Sequence, residues 1–121
     1  MAGLVQFEVP DKLQAEQLAL VEKVSKKGKL RIGVNEVTKA VERGVAKLVL
    51  IAEDVSPPEI VMHLPLLCKE KNLAFSYVKT KEELGKKAGI AVGTATIAIV
   101  DEGDLKKELA EIAKKLAELR K

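Results

Sequence analysis

Residues 48–52, Leu-Val-Leu-Ile-Ala, form an unbroken apolar run of strand length, and this run constrains the fold more than any other feature. A strand with one face in water alternates polar and apolar residues, whereas a continuous apolar run suits a strand that is covered on both faces. Three further segments of strand length bring the number of expected strands to four. The expected strands lie at 29–32, 48–52, 74–78 and 96–100.

Segments with helical spacing separate these strands. The expected helices run over 11–27 and 35–43, from near Pro57, from Thr80 to about Gly89, and from Asp104 to Leu119. Helices that alternate with strands predict helices packed on both faces of one sheet. We therefore expect an α/β fold: a three-layer α/β/α sandwich with a four-stranded mixed sheet and five helices, in a single domain over residues 1–121.

Local signals mark the starts of two of these helices. Ser56 and Glu59 are spaced as a capping box around a proline, and Thr80 and Glu83 repeat that spacing. Pro65 lies inside the expected third helix and should bend it. That helix is expected to bury Ile60, Val61, Leu64 and Leu67.

The composition excludes several classes of protein. A single cysteine, Cys68, allows no disulfide within the chain, which favours a reducing compartment. We find no basic stretch followed by an apolar run at the N-terminus, and no apolar stretch of membrane-spanning length. The expectation is a soluble protein of the cytoplasm.

Catalytic and metal-binding motifs are largely absent from the sequence. It has neither a phosphate-binding P-loop nor a dinucleotide-binding glycine motif, and His63 is its only histidine. Cys68 follows an apolar run, which favours a packed core residue. Glu53 and Asp54, at a strand end, are the remaining candidates for an acid/base pair, although such carboxylates are more often structural. We expect no enzyme, cofactor or metal; the alternative is a protein–protein interaction module or small enzyme on a similar sandwich.

The positive charge is concentrated in one segment. The net charge is only +3, but residues 23–47 contain eight basic and two acidic residues, a local +6. Such a patch suits a polyanionic partner, and a solvated lysine-rich face is the simpler alternative. Aromatic residues make up only 2% of the chain, which argues against a binding surface built on base stacking.

The second expected helix carries an unusual set of side chains. Asn35, Lys39 and Arg43 are four residues apart and share one helical face, and Glu36 flanks that face. Amide and basic groups can bond base edges, while a carboxylate near a polyanion is repelled unless it accepts base N–H groups. Glu36 within the most basic segment therefore indicates a base-reading helix start. The alternative is that Asn35 and Glu36 merely cap the helix.

The loop at residues 90–92 is a second unusual feature. It places Ile90, Ala91 and Val92 between Gly89 and Gly93. Three apolar residues in such a loop could pack on an unstacked base or on a partner protein. A loop folded back onto its own core explains them equally well.

These residues, in this order, resemble the kink-turn-binding ribosomal proteins, and within that family the archaeal large-subunit members of the L7Ae type. The resemblance covers essentially the whole chain. The segments that carry it are Gly33-x-Asn35-Glu36-x-Thr38-Lys39, Arg43-Gly44, 50–54, 58–60, 63–68, Lys81-x-x-Leu84-Gly85 and 89–92.

The resemblance implies a protein that binds a kink-turn, an RNA helix–bulge–helix motif with tandem sheared G·A pairs. Asn35, Glu36 and Lys39 would contact the guanines of those pairs, and a sheared guanine leaves free N–H groups for Glu36 to accept. The loop 90–92 would pack beside the bulge. The full expected RNA-binding set is Gly33, Asn35, Glu36, Lys39, Arg43, Ile60, Lys81, Ile90, Ala91 and Val92. Secondary phosphate contacts are expected from Lys26, Lys27, Lys29 and Arg31.

Two departures from some relatives accompany the match. Val92 stands where some relatives carry Arg, and Ser56 stands where some carry an acid. In both departures this chain resembles the archaeal branch. The resemblance further implies a non-catalytic scaffold that joins core proteins in several particles, and we expect the free protein to be a monomer. These are the large ribosomal subunit, the box C/D and box H/ACA guide-RNA particles, and ribonuclease P.

Overall fold

Four strands form one mixed sheet in the computed structural model, which describes residues 9–55 and 58–119. The strands are β1 (Lys29–Ile32), β2 (Leu48–Ala52), β3 (Phe75–Val78) and β4 (Thr96–Asp101). Their order across the sheet is β1-β4-β2-β3. β4 is antiparallel to both β1 and β2, whereas β2 and β3 are parallel. The predicted four-stranded mixed sheet is confirmed.

Five α-helices accompany the sheet in the described part of the chain. They are α1 (Asp11–Lys27), α2 (Val34–Glu42), α3 (His63–Glu70), α4 (Lys81–Ala88) and α5 (Lys106–Leu119), and a short 3-10 helix spans Pro58–Ile60. α1 packs against α4 and α5, and α2 packs against α3. Both α1 and α2 also contact the sheet, so the predicted α/β sandwich is confirmed. No helix within 9–55 and 58–119 combines the length and apolar character needed to cross a bilayer.

The core lies on both faces of the two central strands. Every residue of β2 is buried, as the unbroken apolar run predicts, and the first four residues of β4 are buried as well. The largest fully buried side chains include Leu48, Leu50, Leu64, Phe75, Tyr77, Ile97, Ile99 and Leu116. Burial of one such side chain stabilises the fold by about 1.5–3 kcal/mol, so this set anchors the strands that carry the loops at both ends.

The third helix differs from its prediction. It begins at His63 rather than near residue 57, and a 3-10 turn precedes it. Pro65 is consequently the third residue of α3, in the first turn, where a backbone N–H has no partner within the helix; the expected bend has no cause there. Ile60, expected to be buried, is 45% exposed. Ser56 and its expected cap lie outside the described residues.

The other helix boundaries follow the sequence signals with one exception. Thr80 Oγ1 accepts a hydrogen bond from Glu83 N at 3.2 Å, which confirms that cap. Gly89 ends α4 with a φ of 89°, in the left-handed region. At the last helix, however, α5 begins at Lys106 rather than beside Asp104. The Asp104 carboxylate lies instead 3.9 Å from the ammonium of Lys27.

The strand directions give the sheet two distinct ends. β1, β2 and β3 run in one direction and β4 in the other, so the segments after the first three strands meet the segment before β4. Three backbone hydrogen bonds join them: Gly33 N to Thr96 O, Ala52 N to Ala95 O and Glu53 N to Val78 O, at 2.8–3.0 Å. We call this the Gly33 end and the opposite one the Lys29 end, where Lys29 pairs with Asp101.

Candidate nucleic-acid interface

Gly33 fixes the start of α2 at the sheet edge. Its φ of 96° and ψ of 156° lie in a region that is essentially restricted to glycine. Its N–H donates to Thr96 O at 3.0 Å, and its carbonyl accepts the first helical hydrogen bond, from Val37 N at 3.0 Å. A β-carbon at this position would meet no atom within 4 Å. The backbone at the start of α2 is therefore both fixed and open to a ligand.

The polar face of α2 is free. Val37, Ala40 and Val41 are buried against the sheet, whereas Asn35, Glu36 and Lys39 are exposed. Neither Glu36 nor Lys39 forms an ion pair within the described residues. The first turn has no side-chain cap, so Asn35 and Glu36 do not serve as the N-cap. An acceptor, an amide and a cation thus stand side by side next to free backbone N–H groups, which suits a ligand that offers both donors and negative charge.

Thr38 and His63 hold α2 against α3, a role that their residue types and spacing in the sequence did not indicate. The Thr38 hydroxyl donates to Val34 O at 2.7 Å and lies 2.9 Å from His63 Nε2. The hydroxyl oxygen can accept a hydrogen bond from Nε2 in the tautomer that carries a proton there. The pair connects the first turn of α2 to the start of α3. Only their presence in the resembling segments singled them out in the sequence.

Asp54 connects the end of β2 to the start of α4. Its Oδ1 accepts a hydrogen bond from the backbone N–H of Lys81 at 2.9 Å. The carboxylate thereby satisfies one of the N–H groups that an α-helix leaves without a partner. This contact explains Asp54 without catalysis. Among the described residues, no cluster of three or more histidine, cysteine or acidic side chains could hold a metal ion.

A substitution of Asp54 tests this structural role. We expect Asp54→Ala to lower the free energy of unfolding by about 1 kcal/mol, the usual cost of losing a capping oxygen. Asp54→Asn keeps an oxygen that can accept from Lys81 N and should lose much less. Urea unfolding of the two variants measures the difference; equal losses would contradict the cap.

The loop between α4 and β4 is anchored by its backbone. Ile90 N donates to Gly85 O at 3.1 Å, and Thr94 N donates to Lys81 O at 3.0 Å. A β-carbon at Gly85 would overlap the carbonyl oxygen of Val92, so the loop lies directly on the helix. Ala91 and Val92 are nevertheless exposed, Val92 by 70%, whereas Ile90 is half-buried. The backbone of the loop therefore folds onto α4, as the alternative expected, but two of its three apolar side chains remain exposed.

Most of the expected RNA-binding residues lie on segments next to the Gly33 end. This group comprises Gly33, Asn35, Glu36, Ile60, Lys81, Ile90, Ala91 and Val92, and Lys39 lies one turn into α2. Lys79 lies there too, but its ammonium is 2.9 Å from Asp11 Oδ1. That hydrogen bond, together with the negative charge of Asp11, raises the pKa of Lys79.

The remaining expected residues lie elsewhere. Arg43 is the C-cap of α2, about 12 Å along the helix from Asn35. Lys26, Lys27 and Lys29 lie at the Lys29 end, on the last turn of α1 and the first residue of β1. The length of β1 thus separates these three lysines from the start of α2, and Arg31 lies between the two ends.

Comparison with known proteins agrees with this architecture. Residues 15–109 match the model of the ribosomal protein L7Ae/L30e/S12e/Gadd45 family. The fold is similar to the Giardia lamblia 15.5kD RNA binding protein, with a TM-score of 0.92 and 34% sequence identity over 98% of each chain. The family match covers the elements from within α1 into α5, including all four strands and the Gly33 end of the sheet. The chain therefore belongs to the L7Ae/L30e/S12e/Gadd45 family.

Proposed function

We propose that this protein is a non-catalytic RNA-binding protein that recognises kink-turn RNA through the Gly33 end of its sheet. The observation that carries the proposal is Glu36, an exposed carboxylate with no ion pair in the described chain, next to exposed Asn35 and Lys39. A surface that only attracts phosphate gains nothing from this acid. The similarity of the fold to the Giardia lamblia 15.5kD RNA binding protein supports the same class of ligand.

The three side chains match the chemistry of sheared G·A pairs. In such a pair the guanine leaves its N1–H and N2–H groups free, and the carboxylate of Glu36 can accept from both. Asn35 offers both a donor and an acceptor, and the ammonium of Lys39 can bond guanine N7 and O6. Gly33 leaves space for the RNA backbone beside the free N–H groups of α2.

The 90–92 loop would contact the bulge of the same RNA. Ala91 and Val92 are exposed on an anchored backbone, and Ile60 is 45% exposed at the same end. These apolar side chains can pack against an unstacked base without an aromatic platform. Lys81, whose backbone is held by Asp54 and Thr94, would place its ammonium near the adjoining phosphates.

RNA binding here would work by selection of a conformation. A protein that contacts the kinked form and not the straight form shifts the RNA toward the kink by its difference in affinity. The resemblance to archaeal large-subunit members extends the proposal to the particles that use such kinks. These are the large ribosomal subunit, the box C/D and box H/ACA guide-RNA particles and ribonuclease P, with their core proteins as partners. We further propose a monomer when free of RNA and a cytoplasmic location.

A paired titration tests the proposed function. One RNA is a fluorescently labelled kink-turn, and the other has its G·A pairs replaced by Watson–Crick pairs, both at the same salt concentration. We expect replacement to weaken binding by at least about 4 kcal/mol, the low end of a specific-over-nonspecific gap. Equal, salt-sensitive binding to both would overturn the proposal and favour a protein–protein interaction module.

A further inference from the structure

The two edges of the sheet differ in how they are protected. β3 forms one edge and β1 the other. All residues of β3 are buried, and the fully buried Gln17 of α1 donates from Nε2 to Tyr77 O at 3.1 Å. That carbonyl faces away from β2, because the next one along the strand, Val78 O, accepts from Glu53 N. Since unpaired backbone groups at an edge invite further strands, this cover blocks strand addition at β3.

The edge formed by β1 has no comparable cover among the described residues. Gly33 N donates to β4, at Thr96 O, over 3.0 Å. Because backbone groups of an antiparallel strand alternate in direction, those of Arg31 also face β4, whereas those of Leu30 and Ile32 point away from it. No hydrogen bond between described residues reaches these outward N–H and C=O groups. This edge is therefore open.

The side chains of β1 alternate along the same edge. Leu30 and Ile32 are half-buried, whereas Lys29 and Arg31 are exposed. Neither cation forms an ion pair in the part of the chain that the structure describes. A second copy of β1 on this edge would bring like charges together, which is destabilising. The cations therefore discourage self-association but favour a strand of opposite charge.

The outward backbone groups indicate the kind of molecule that fits. Leu30 and Ile32 each offer one donor and one acceptor to the outside. A phosphate group supplies only acceptors, so it can use the N–H groups and the nearby cations but gives the carbonyls no donor. An extended peptide backbone supplies donors and acceptors at the matching spacing, as in other cases of strand addition to an exposed edge.

We propose that β1 is a docking edge for an extended, acidic segment of a partner protein, which adds to the four-stranded sheet as a further strand. Residues of the segment opposite Leu30 and Ile32 are apolar, because they continue the half-buried face. Residues opposite Lys29 and Arg31 are acidic, because opposite charges on neighbouring strands attract. The partner segment therefore alternates acidic and β-branched residues and lacks proline, which cannot donate to the ladder.

An NMR titration with a synthetic peptide tests this docking edge on the full chain. The probe is acetyl-Glu-Val-Glu-Val-Glu-amide, and its control carries N-methyl groups on both valine nitrogens. With the valines opposite the two apolar residues of β1, their N–H groups are the donors to the edge. N-methylation removes these donors and keeps the charge, so it separates strand addition from general attraction of an anion.

Two variants test the charge preference. Arg31→Glu reverses a charge at the edge, and because Arg31 pairs with Ala98, it places no acid opposite another within the sheet. Lys107→Glu changes the net charge equally. Lys107 is exposed on α5, which contacts β3 at the opposite edge.

We expect the acidic peptide to shift the amide signals of Leu30 and Ile32 and to slow their hydrogen exchange, and the N-methylated peptide to do neither. Arg31→Glu should weaken binding of the acidic peptide by about fivefold, as when an attractive cross-strand pair becomes repulsive. Lys107→Glu should behave as the wild type.

Three results would overturn the docking edge. Absence of binding excludes it, and equal binding of both peptides would leave a polyanion surface that suits phosphate instead. Shifts of the same amides with protein concentration alone would assign the edge to a second copy of the chain. The proposed RNA recognition is tested separately, because this titration contains no RNA.

Discussion

Replacement of Glu36 by alanine should weaken binding to kink-turn RNA, although it removes a negative charge from the surface that faces a polyanion. The expected loss is about 1–3 kcal/mol, the range for one well-placed contact to a base edge. Glu36 is exposed in the first turn of α2 and forms no ion pair with the described residues, so its removal should cost little stability. Titration with the labelled kink-turn RNA measures the loss.

Glu42 provides the matched control for this experiment. It is an exposed acid on the same helix, two turns further on and away from the Gly33 end. Glu42→Ala removes the same charge but no proposed base contact, so it should leave binding unchanged or make it tighter. If Glu36→Ala also tightened binding, electrostatics alone would describe the surface and the base-reading role would be wrong.

The strands and most helix starts could be predicted because their signals are local. The bounds of β1 and β2 agree with the sequence, since β2 is an unbroken apolar run and β1 lies between Gly28 and Gly33. The start of α3 could not be predicted in the same way. The segment before His63 forms a 3-10 turn, and the resulting exposure of Ile60 depends on how that turn meets the rest of the fold.

The candidate site likewise contains residues that local spacing indicates and contacts that only the tertiary structure shows. Residue types and spacing along α2 indicated Asn35, Glu36 and Lys39, because one helical turn brings them together. The contacts that hold this end in place join residues 25 to 27 positions apart: Thr38 with His63, and Asp54 with Lys81. Only the topology brings such partners together.

The contact between α4 and the following loop gives the second large prediction. A β-carbon at Gly85 would overlap the carbonyl oxygen of Val92, and backbone cannot move aside as a flexible side chain can. We expect Gly85→Ala to displace the 90–92 loop and to lower the free energy of unfolding by about 1–3 kcal/mol, as other overpacked sites do. The loop carries Ile90, Ala91 and Val92, so binding of the labelled kink-turn RNA should fall by about tenfold or more, the equivalent of about 1.4 kcal/mol.

Gly28 separates the loss of stability from the loss of the loop. A β-carbon there would overlap the carbonyl oxygen of Asp101, so Gly28→Ala creates the same kind of clash at the Lys29 end, far from the loop. Urea unfolding should show that both variants are destabilised, and RNA titration under conditions where both are folded should show weaker binding only for Gly85→Ala. If both variants bound the kink-turn RNA as the wild type does, the 90–92 loop would have no part in recognition, and the Gly33 end would act through α2 alone.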